Sequence, residues 1–209
     1  MTEPHACSNA EFISSFEGSP AIPPLLRLIA RGRPVDLAEL AAKSGQPASD
    51  LERILRAQPG TEWDDEGRLV GFGLSLRPTA HRYLVGGHTL YTWCATDTLF
   101  FTVILGIDAV AESTCPATGQ PIRLEVTPDA VASVSPVGAV VSQRHRGSLV
   151  ANLRADVCDH GHFFASEAAA NAWVEAHPGG EILSVTEAFD QCRSACEDLG
   201  WLVQGTTGR

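Results

Sequence analysis

The sequence has few positive charges: 15 Lys and Arg stand against 25 Asp and Glu among 209 residues, for a formal net charge of −10. Because Lys and Arg supply most of the affinity for phosphate backbones and anionic membrane surfaces, this deficit argues against nucleic acid and membranes as partners. The chain also lacks an uncharged apolar run of the roughly 18 to 20 residues that a membrane span needs. Its N-terminus, MTEPHACSNAEF, lacks the basic and apolar regions of a leader. We therefore expect a cytoplasmic protein.

Cysteine is well represented, but the chain has no Cys-x-x-Cys pair of the kind found in many zinc sites. In a reducing compartment, thiols serve as ligands, nucleophiles or core residues rather than as disulfides. At least some of the cysteines therefore need a functional explanation. They are Cys7, Cys94, Cys115, Cys158, Cys192 and Cys196.

The length of 209 residues suits one domain with a small additional unit. Residues 1–79 show the pattern of short helices followed by a hairpin, which predicts a winged-helix-like unit. Residues 80–209 alternate short strand and helix patterns. The predicted fold class is therefore α+β, with the N-terminal winged-helix-like unit packed on a mixed α+β domain that has small antiparallel sheets.

Helix starts in the N-terminal unit are marked by capping and proline signals. The hairpin that follows, around Trp63 to Leu74, has its turn at Asp65-Glu66-Gly67. The predicted helix starts are Ser8 with Glu11, Pro23 with Pro24, Asp36 with Glu39, and Pro47 ahead of Leu51, Ile54 and Leu55.

Winged-helix units often bind DNA, so this alternative has to be weighed. Residues 1–80 hold eight Lys and Arg against eleven Asp and Glu, and the hairpin tip is acidic. Phosphate contacts require the opposite charge balance. We therefore expect this unit to pack on the second domain and cover its site.

The second domain begins with two predicted strands, His81 to Val85 and His88 to Trp93, joined at Gly86-Gly87. The apolar run from Leu99 to Leu105 predicts a buried helix that ends at Gly106. Further strands are expected near Cys115, Ile122 to Val126, Gly138 to Ser142 and Ile182 to Val185. Two late helices are expected to be capped by Ser166 and Thr186.

Cys94 and Asp97 stand where a predicted strand ends and the apolar helix begins. The positive end of a helix dipole stabilises a thiolate, so we expect a lowered pKa for Cys94. Three residues apart, the two side chains emerge on one face of the helix and can share a ligand. In the plainer interpretation, which local sequence alone favours, Asp97 caps the helix and Cys94 fills space.

The run from Asp156 to Phe164 places one thiol, two histidines and two carboxylates ahead of two phenylalanines. Short Cys and His spacings fit a zinc site. The pattern is poor for zinc, however, because Cys94 and Cys115 lie singly and far away in sequence. Cys158 is therefore a candidate ligand or nucleophile in its own right.

The other cysteines have simpler interpretations. Cys115 lies beside turn residues and is expected to be a buried structural thiol. Cys192 and Cys196 are four residues apart on the last helix, where they could grip a soft metal together. They share that side with apolar residues, so a core position is favoured.

Three segments together resemble the organomercurial (alkylmercury) lyases of bacterial mercury resistance. These are LYTWCATDTLFF from Leu90, STCPATGQPIRLEVTP from Ser113 and VCDHGHFFAS from Val157. Order and spacing agree with that family, and the resemblance covers almost the whole chain. It is loosest in the first 20 residues and in the tail.

The resemblance implies a winged-helix-like region joined to a catalytic domain that uses no organic cofactor. It implies that Cys94 and Cys158 are the catalytic cysteines, that Asp97 is the catalytic aspartate, and that Cys115 is structural. Asp159, Cys192 and Cys196 have no role that the family supplies, although the last two could form a secondary mercury site.

The implied chemistry suits these residues, since soft thiolates favour a soft metal such as mercury. Cleaving a carbon–mercury bond leaves a strongly basic carbon, which must be protonated as the bond lengthens. In the resulting hypothesis Asp97 helps to deprotonate a thiol, both thiolates bind the mercury of an organomercurial, and Asp97 returns the proton to carbon. Hg(II) then stays on Cys94, Cys158 and Asp97 until excess cellular thiols or a mercuric reductase accept it.

Two other classes of protein remain as alternatives. A non-catalytic metal-binding or delivery protein would use Cys94 and Cys158 as ligands, but it has no need of the Asp97 carboxylate. A metal-sensing regulator would use the winged-helix unit on DNA, and the acidic charge argues against that function.

Overall fold

The computed structural model describes residues 20–144 and 152–202 of the chain. The helix predicted at Ser8 and the residues around Cys7 lie outside these ranges. The described helices are α1 (Ile22–Ile29), α2 (Leu37–Ser44), α3 (Ala48–Ala57), α4 (Ala95–Leu105), α5 (Leu153–Asp156), α6 (Glu167–Ala176) and α7 (Val185–Asp198), with a 3-10 turn at Cys158–His160. The described strands are β1 (Glu62–Trp63), β2 (Leu69–Phe72), β3 (Leu74–Ser75), β4 (His81–Val85), β5 (His88–Thr92), β6 (Ala109–Thr114), β7 (Pro121–Val126), β8 (Val131–Ser135), β9 (Val140–Arg144), β10 (Phe163–Phe164) and β11 (Gly180–Ser184).

The described strands form two antiparallel sheets. One has eight strands in the order β1-β2-β3-β5-β4-β6-β7-β8, and the other has three in the order β10-β9-β11. The α+β class is confirmed, although the larger sheet exceeds the small sheets that the sequence predicts. It is larger because the N-terminal hairpin joins it: β2 pairs with β3, and β3 pairs with β5. The division at residues 79 and 80 stays a prediction.

The N-terminal helices bury one apolar face each. Pro23 lies in the first turn of α1, as predicted, and Leu25 and Ile29 on that helix are fully buried. On α3, Leu51 and Leu55 are buried, but Ile54 is 40% exposed and lies off the buried face.

The predicted hairpin is confirmed, and its turn is closed by a side chain. The Asp64 carboxylate accepts hydrogen bonds from the backbone N–H groups of Glu66 (3.1 Å) and Arg68 (2.8 Å). An aspartate side chain at the start of a turn accepts hydrogen bonds from backbone N–H groups that are not paired with the opposite strand.

The capping box predicted for Asp36 and Glu39 is wrong. Asp36 occupies the position before α2 but makes no side-chain cap. Glu39 instead pairs with Arg31 (2.8 Å) and Arg33 (2.9 Å), because two cations lie within reach of its carboxylate. A charge-assisted pair competes successfully with a bond to a backbone amide.

Helix α4 is the centre of the molecule. It contacts α1 and α7 as well as strands of both sheets, so nearly all its residues are buried. The Tyr83 hydroxyl of β4 lies 2.8 Å from the Thr102 hydroxyl of α4, which fixes the helix against the large sheet. Gly106 ends the helix in a left-handed conformation, as predicted. The first turn of α4, which begins after Cys94, is therefore held rigidly.

The last two helices are both capped by serine. Ser166 caps α6, as predicted, by accepting a hydrogen bond from the N–H of Ala169. The cap predicted at Thr186 is wrong, because α7 begins two residues earlier and Ser184 forms a capping box with Glu187. Within residues 20–144 and 152–202, none of the helices is both long and apolar enough to cross a membrane.

The position of this cap can be tested by two alanine substitutions. Ser184→Ala removes the acceptor for the Glu187 N–H and should lower the free energy of unfolding by about 1 kcal/mol. Thr186→Ala changes an exposed residue inside the helix and should leave that free energy within about 0.5 kcal/mol. Urea unfolding of both variants measures the difference. A larger loss for Thr186→Ala would contradict the observed cap.

Candidate active site

The structure brings Cys94, Asp97 and Cys158 together. Cys94 is the residue before α4, Asp97 lies in the first turn of that helix, and Cys158 begins the 3-10 turn. One ligand atom from each lies within 4.8 Å of the others, and the three residues are 5%, 4% and 1% exposed. Two thiols and a carboxylate therefore share one buried position, as the sequence predicts.

The two cysteine-bearing segments are joined by a backbone hydrogen bond. The N–H of Ala95, the first residue of α4, donates to the carbonyl oxygen of Gly161 at 3.0 Å. A β-carbon added at Gly161 would lie 2.9 Å from the β-carbon of Cys94, so a side chain there would displace the cysteine. Gly161 was not singled out by the sequence analysis, although it lies in the run that contains Cys158.

Strand β9 holds the other side of the Cys158 segment. The Ser142 hydroxyl donates to the carbonyl oxygen of His160 at 2.9 Å, and the N–H of His162 donates to the same hydroxyl at 2.9 Å. A buried serine thus fixes the backbone on both sides of Gly161. The position of Cys158 depends on contacts from distant parts of the chain.

Cys94 and Asp97 form the capping arrangement that the plainer interpretation predicts. The N–H of Cys94 donates to a carboxylate oxygen of Asp97 at 3.1 Å, and the N–H of Asp97 is directed at the Cys94 sulfur. Asp97 therefore caps the start of α4 and shares a pocket with the thiols at the same time. The cap fixes the carboxylate beside the thiols.

Burial controls the ionisation of Asp97. It raises the pKa of the carboxyl from 3.8 to about 6, although hydrogen bonds from Cys94 and from backbone amides lower it. A carboxyl with this pKa is mostly ionised at neutral pH and takes up a proton readily. Such a group suits proton transfer better than an ordinary aspartate.

The expected lowering of the Cys94 pKa is wrong. A hydrogen bond from the Cys158 thiol lowers the pKa of Cys94, but burial and the Asp97 carboxylate raise it, and the net shift is upward. The same hydrogen bond, together with burial, raises the pKa of Cys158 well above its ordinary value. The loss of solvent and the neighbouring carboxylate therefore outweigh the hydrogen bonds that favour the Cys94 thiolate. Cys94 is the thiol of the pair whose thiolate is better supported.

A small apolar cavity of about 30 Å³ adjoins two of the three residues. Asp97 and Cys158 lie on its wall, and the N-terminal unit contributes Ile22, Leu26 and Phe72. Trp93 and Trp201 lie on the same wall, the latter from the C-terminal end of the described chain. The expectation that the N-terminal unit covers the site is confirmed. Trp93, which the sequence did not mark as a site residue, is part of it.

Comparison with known proteins assigns the chain to a family. Residues 74–197 match the alkylmercury lyase family, and residues 18–73 match the helix-turn-helix domain of alkylmercury lyase. The chain is 43% identical over 167 residues to an alkylmercury lyase of Bacillus cereus, covering 80% of this chain and 76% of that protein. It is 44% identical over 176 residues to one of Streptomyces lividans, covering 84% and 81%. The chain belongs to the alkylmercury lyase family.

The fold agrees with this assignment. A crystal structure of the mercury-bound form of MerB2 matches with a TM-score of 0.70 at 29% identity, covering 85% of this chain and 90% of that chain. As an alkylmercury lyase, the chain is an enzyme of mercury resistance. The N-terminal winged-helix-like unit corresponds to the helix-turn-helix domain of the family.

Within the described residues, the histidines of the Cys158 run do not join a group of three metal ligands. Among residues 20–144 and 152–202, Cys94, Asp97 and Cys158 are the single group of three ligands that could hold a metal ion. The Nε2 atom of His160 lies 2.9 Å from an Arg144 nitrogen, and the His162 ring stacks on His81. The histidines of this run therefore serve the packing around the lyase site.

The other three cysteines within the described residues do not belong to this group of ligands. Cys115 is buried directly after β6, which agrees with a structural thiol. Cys192 and Cys196 are buried on α7, where the Cys192 sulfur lies 4.0 Å from the carbonyl oxygen of Thr96. Their placement agrees with the core position favoured by the sequence.

The buried charge of Asp97 should make stability depend on pH. Asp97→Asn keeps an acceptor for the Cys94 amide and removes the charge. The wild-type carboxyl has a higher pKa when folded, about 6 against 3.8, so the wild type loses stability as pH rises through this window. The variant should be more stable above pH 7 by on the order of 2–3 kcal/mol, with the difference shrinking towards pH 4.

Urea unfolding of wild type and Asp97→Asn across this pH range measures the difference in the free energy of unfolding. A difference that does not change with pH would contradict the raised pKa.

The close approach at Gly161 can be tested by adding one methyl group. Gly161→Ala should lower the free energy of unfolding by about 1–3 kcal/mol, because the new β-carbon overlaps Cys94. Gly138→Ala is the matched control, since its β-carbon would meet only the Ala165 carbonyl oxygen at 4.0 Å. Equal effects of the two substitutions in urea unfolding would contradict the proposed crowding.

Proposed function

We propose that this lyase cleaves the carbon–mercury bond of alkyl- and arylmercury compounds by protonolysis, releasing a hydrocarbon and Hg(II). Cys94 and Cys158 bind the mercury, and Asp97 relays the proton. The observation that carries the proposal is the buried group of two thiols and one carboxylate beside an apolar cavity, in a member of the alkylmercury lyase family.

In the first step the substrate R–Hg–X, where X is a thiolate or another ligand, meets the Cys94 sulfur. The Cys94 sulfur binds mercury, and its proton leaves with X as H–X. Cys94 is the better first ligand because Cys158 donates a hydrogen bond to its sulfur. The soft sulfur favours the soft metal, which supplies affinity for the substrate.

In the second step Cys158 becomes a ligand of the same mercury. Asp97 accepts the Cys158 proton, and its pKa of about 6 makes this transfer less unfavourable than transfer to an ordinary aspartate. Two thiolates on one mercury increase the electron density on the bonded carbon. The carbon–mercury bond is then ready for attack by a proton.

In the last step Asp97 donates its proton to the carbon as the carbon–mercury bond breaks. The products are R–H and a mercury ion held between Cys94 and Cys158, so that both thiol protons are accounted for. Every proton and ligand comes from these three side chains, and the scheme therefore needs no organic cofactor. The apolar cavity has room for a small R group such as methyl and keeps water from competing for the reaction, whereas a phenyl group requires its walls to move apart.

Release of Hg(II) requires competing thiols, since two protein sulfurs hold the ion tightly. Cellular thiols in excess and a mercuric reductase are the proposed acceptors, because a thiolate can replace Cys94 and Cys158 one at a time. In the described part of the chain the cysteines form no disulfide, which supports a reducing cytoplasm as the place of action.

The proposal is tested by measuring methane from methylmercury and benzene from phenylmercury in excess thiol. Asp97→Ala should retain Hg(II) binding and lower kcat by about 100-fold or more, because it removes the proton donor. Cys94→Ala and Cys158→Ala should abolish turnover. Cys196→Ala, which removes a buried thiol outside the site, should retain it.

Binding of mercury without release of hydrocarbon by the wild type would contradict the proposal and indicate a metal-binding protein. Normal turnover by Asp97→Ala would contradict only the role proposed for the Asp97 carboxylate and would leave the roles of the two cysteines standing.

A further inference from the structure

A second buried carboxylate lies outside the group of Cys94, Asp97 and Cys158. Glu62 of β1 is 6% exposed, and its carboxylate accepts three hydrogen bonds from side chains. The donors are the Trp93 indole N–H at 2.9 Å, an Arg154 N–H at 2.7 Å and the Ser75 hydroxyl at 2.5 Å. A carboxylate in this environment is tolerated because it is fully paired.

Two of these donors lie beside the two catalytic cysteines in sequence. Trp93 directly precedes Cys94, and Arg154 belongs to the short helix α5, four residues before Cys158. The Arg154 guanidinium also lies over the Trp93 ring, 5.3 Å from its centroid. Glu62 therefore joins the segments that carry the two thiols, and it does so from the N-terminal hairpin.

Two glycines allow the hairpin to come this close. A β-carbon at Gly60 would lie 3.0 Å from the β-carbon of Arg154 and 3.3 Å from the Trp93 ring. A β-carbon at Gly71 would collide with the Glu62 carboxylate itself. Gly60 has a φ of 95°, a conformation that favours glycine. The backbone is thus shaped around the contacts of Glu62.

We propose that Glu62 is a positioning residue for the reaction, holding Trp93 and Arg154 so that the Cys94 and Cys158 sulfurs keep the spacing needed to bind one mercury atom. This inference rests on the proposed function. Geometry matters here because both sulfurs must reach the metal while Asp97 reaches the carbon. A displacement of about 1 Å in such a group can cost on the order of 100-fold in rate.

The alternative is that Glu62 only stabilises the hairpin against the rest of the molecule. A stabilising residue lowers the melting temperature when it is replaced, but the folded fraction keeps its kcat. A positioning residue also changes kcat and the way in which mercury is bound. The two roles therefore differ in measurements that thermal stability does not determine.

The test uses Glu62→Gln, Arg154→Met and the double variant, in the full-length protein. Each single change should lower kcat by about tenfold or more with little change in KM, since the reacting groups are misaligned. The double variant should lose less than the product of the two single losses, because both changes break the same link. Arg154 is partly exposed, so its replacement tests the link even if Glu62→Gln folds poorly.

The matched control is Glu112→Gln. Glu112 lies on β6 and bridges Arg82 (2.6 Å) and Arg123 (3.0 Å) on the exposed side of the same sheet. It makes the same kind of carboxylate–arginine contact, but neither of its arginines belongs to a segment that carries Cys94 or Cys158. This variant should keep the wild-type kcat.

Mercury binding gives an independent measurement. With one equivalent of Hg(II) and a competing small thiol, the ultraviolet absorption of a two-thiolate complex should form in the wild type and in Glu112→Gln. It should be weakened in Glu62→Gln and Arg154→Met.

Unchanged kcat and unchanged two-thiolate absorption in folded Glu62→Gln and Arg154→Met would overturn the positioning role. If the wild type released no hydrocarbon, the proposed function would fail. Loss of two-thiolate absorption in the variants would still support the positioning of the thiols.

Discussion

The active site depends on holding two cysteines from distant parts of the sequence side by side in the buried interior of the protein. The hydrogen bond from Ala95 to Gly161 joins the two segments through the backbone, and side-chain contacts of Ser142 add to it. Gly161 makes the approach possible, because any side chain there would meet Cys94. Helix α4 and strand β9 then act as two fixed supports, and the sheets and the terminal helices position those supports.

Burial is also what sets the chemistry. It raises the pKa of Asp97, of Cys94 and of Cys158, so that each group holds a proton more strongly than it would in water. The raised pKa makes Asp97 a better proton acceptor than an ordinary aspartate. Burial of the ionised Asp97 carboxylate also lowers the free energy of unfolding. The site thus gives up stability in the region where it gains reactivity.

Local sequence predicts much of this fold. The Gly86-Gly87 turn, the apolar helix ending at Gly106 and the Ser166 cap each rest on neighbouring residues and are confirmed. The failures have different causes, and in each of them a contact or burial in the folded protein outweighs the local signal. Glu39 pairs with two arginines instead of capping α2, and burial raises the pKa of Cys94, which was expected to be lowered. The group of Cys94, Asp97 and Cys158 was predicted through family resemblance, since spacing alone does not join Cys158 to the other two.

Part of the cavity wall has a different origin from the reacting group. Helix α1, the hairpin and Trp201 supply one part of its apolar surface, whereas Phe100 and Phe101 come from α4, the helix that also carries the carboxylate. Recognition of the organic group is therefore encoded partly outside the segments that bind the metal. Substitutions at Ile22, Leu26 or Trp201 can reshape the space for the hydrocarbon while the proton relay stays intact, so substrate range can evolve without passing through inactive intermediates.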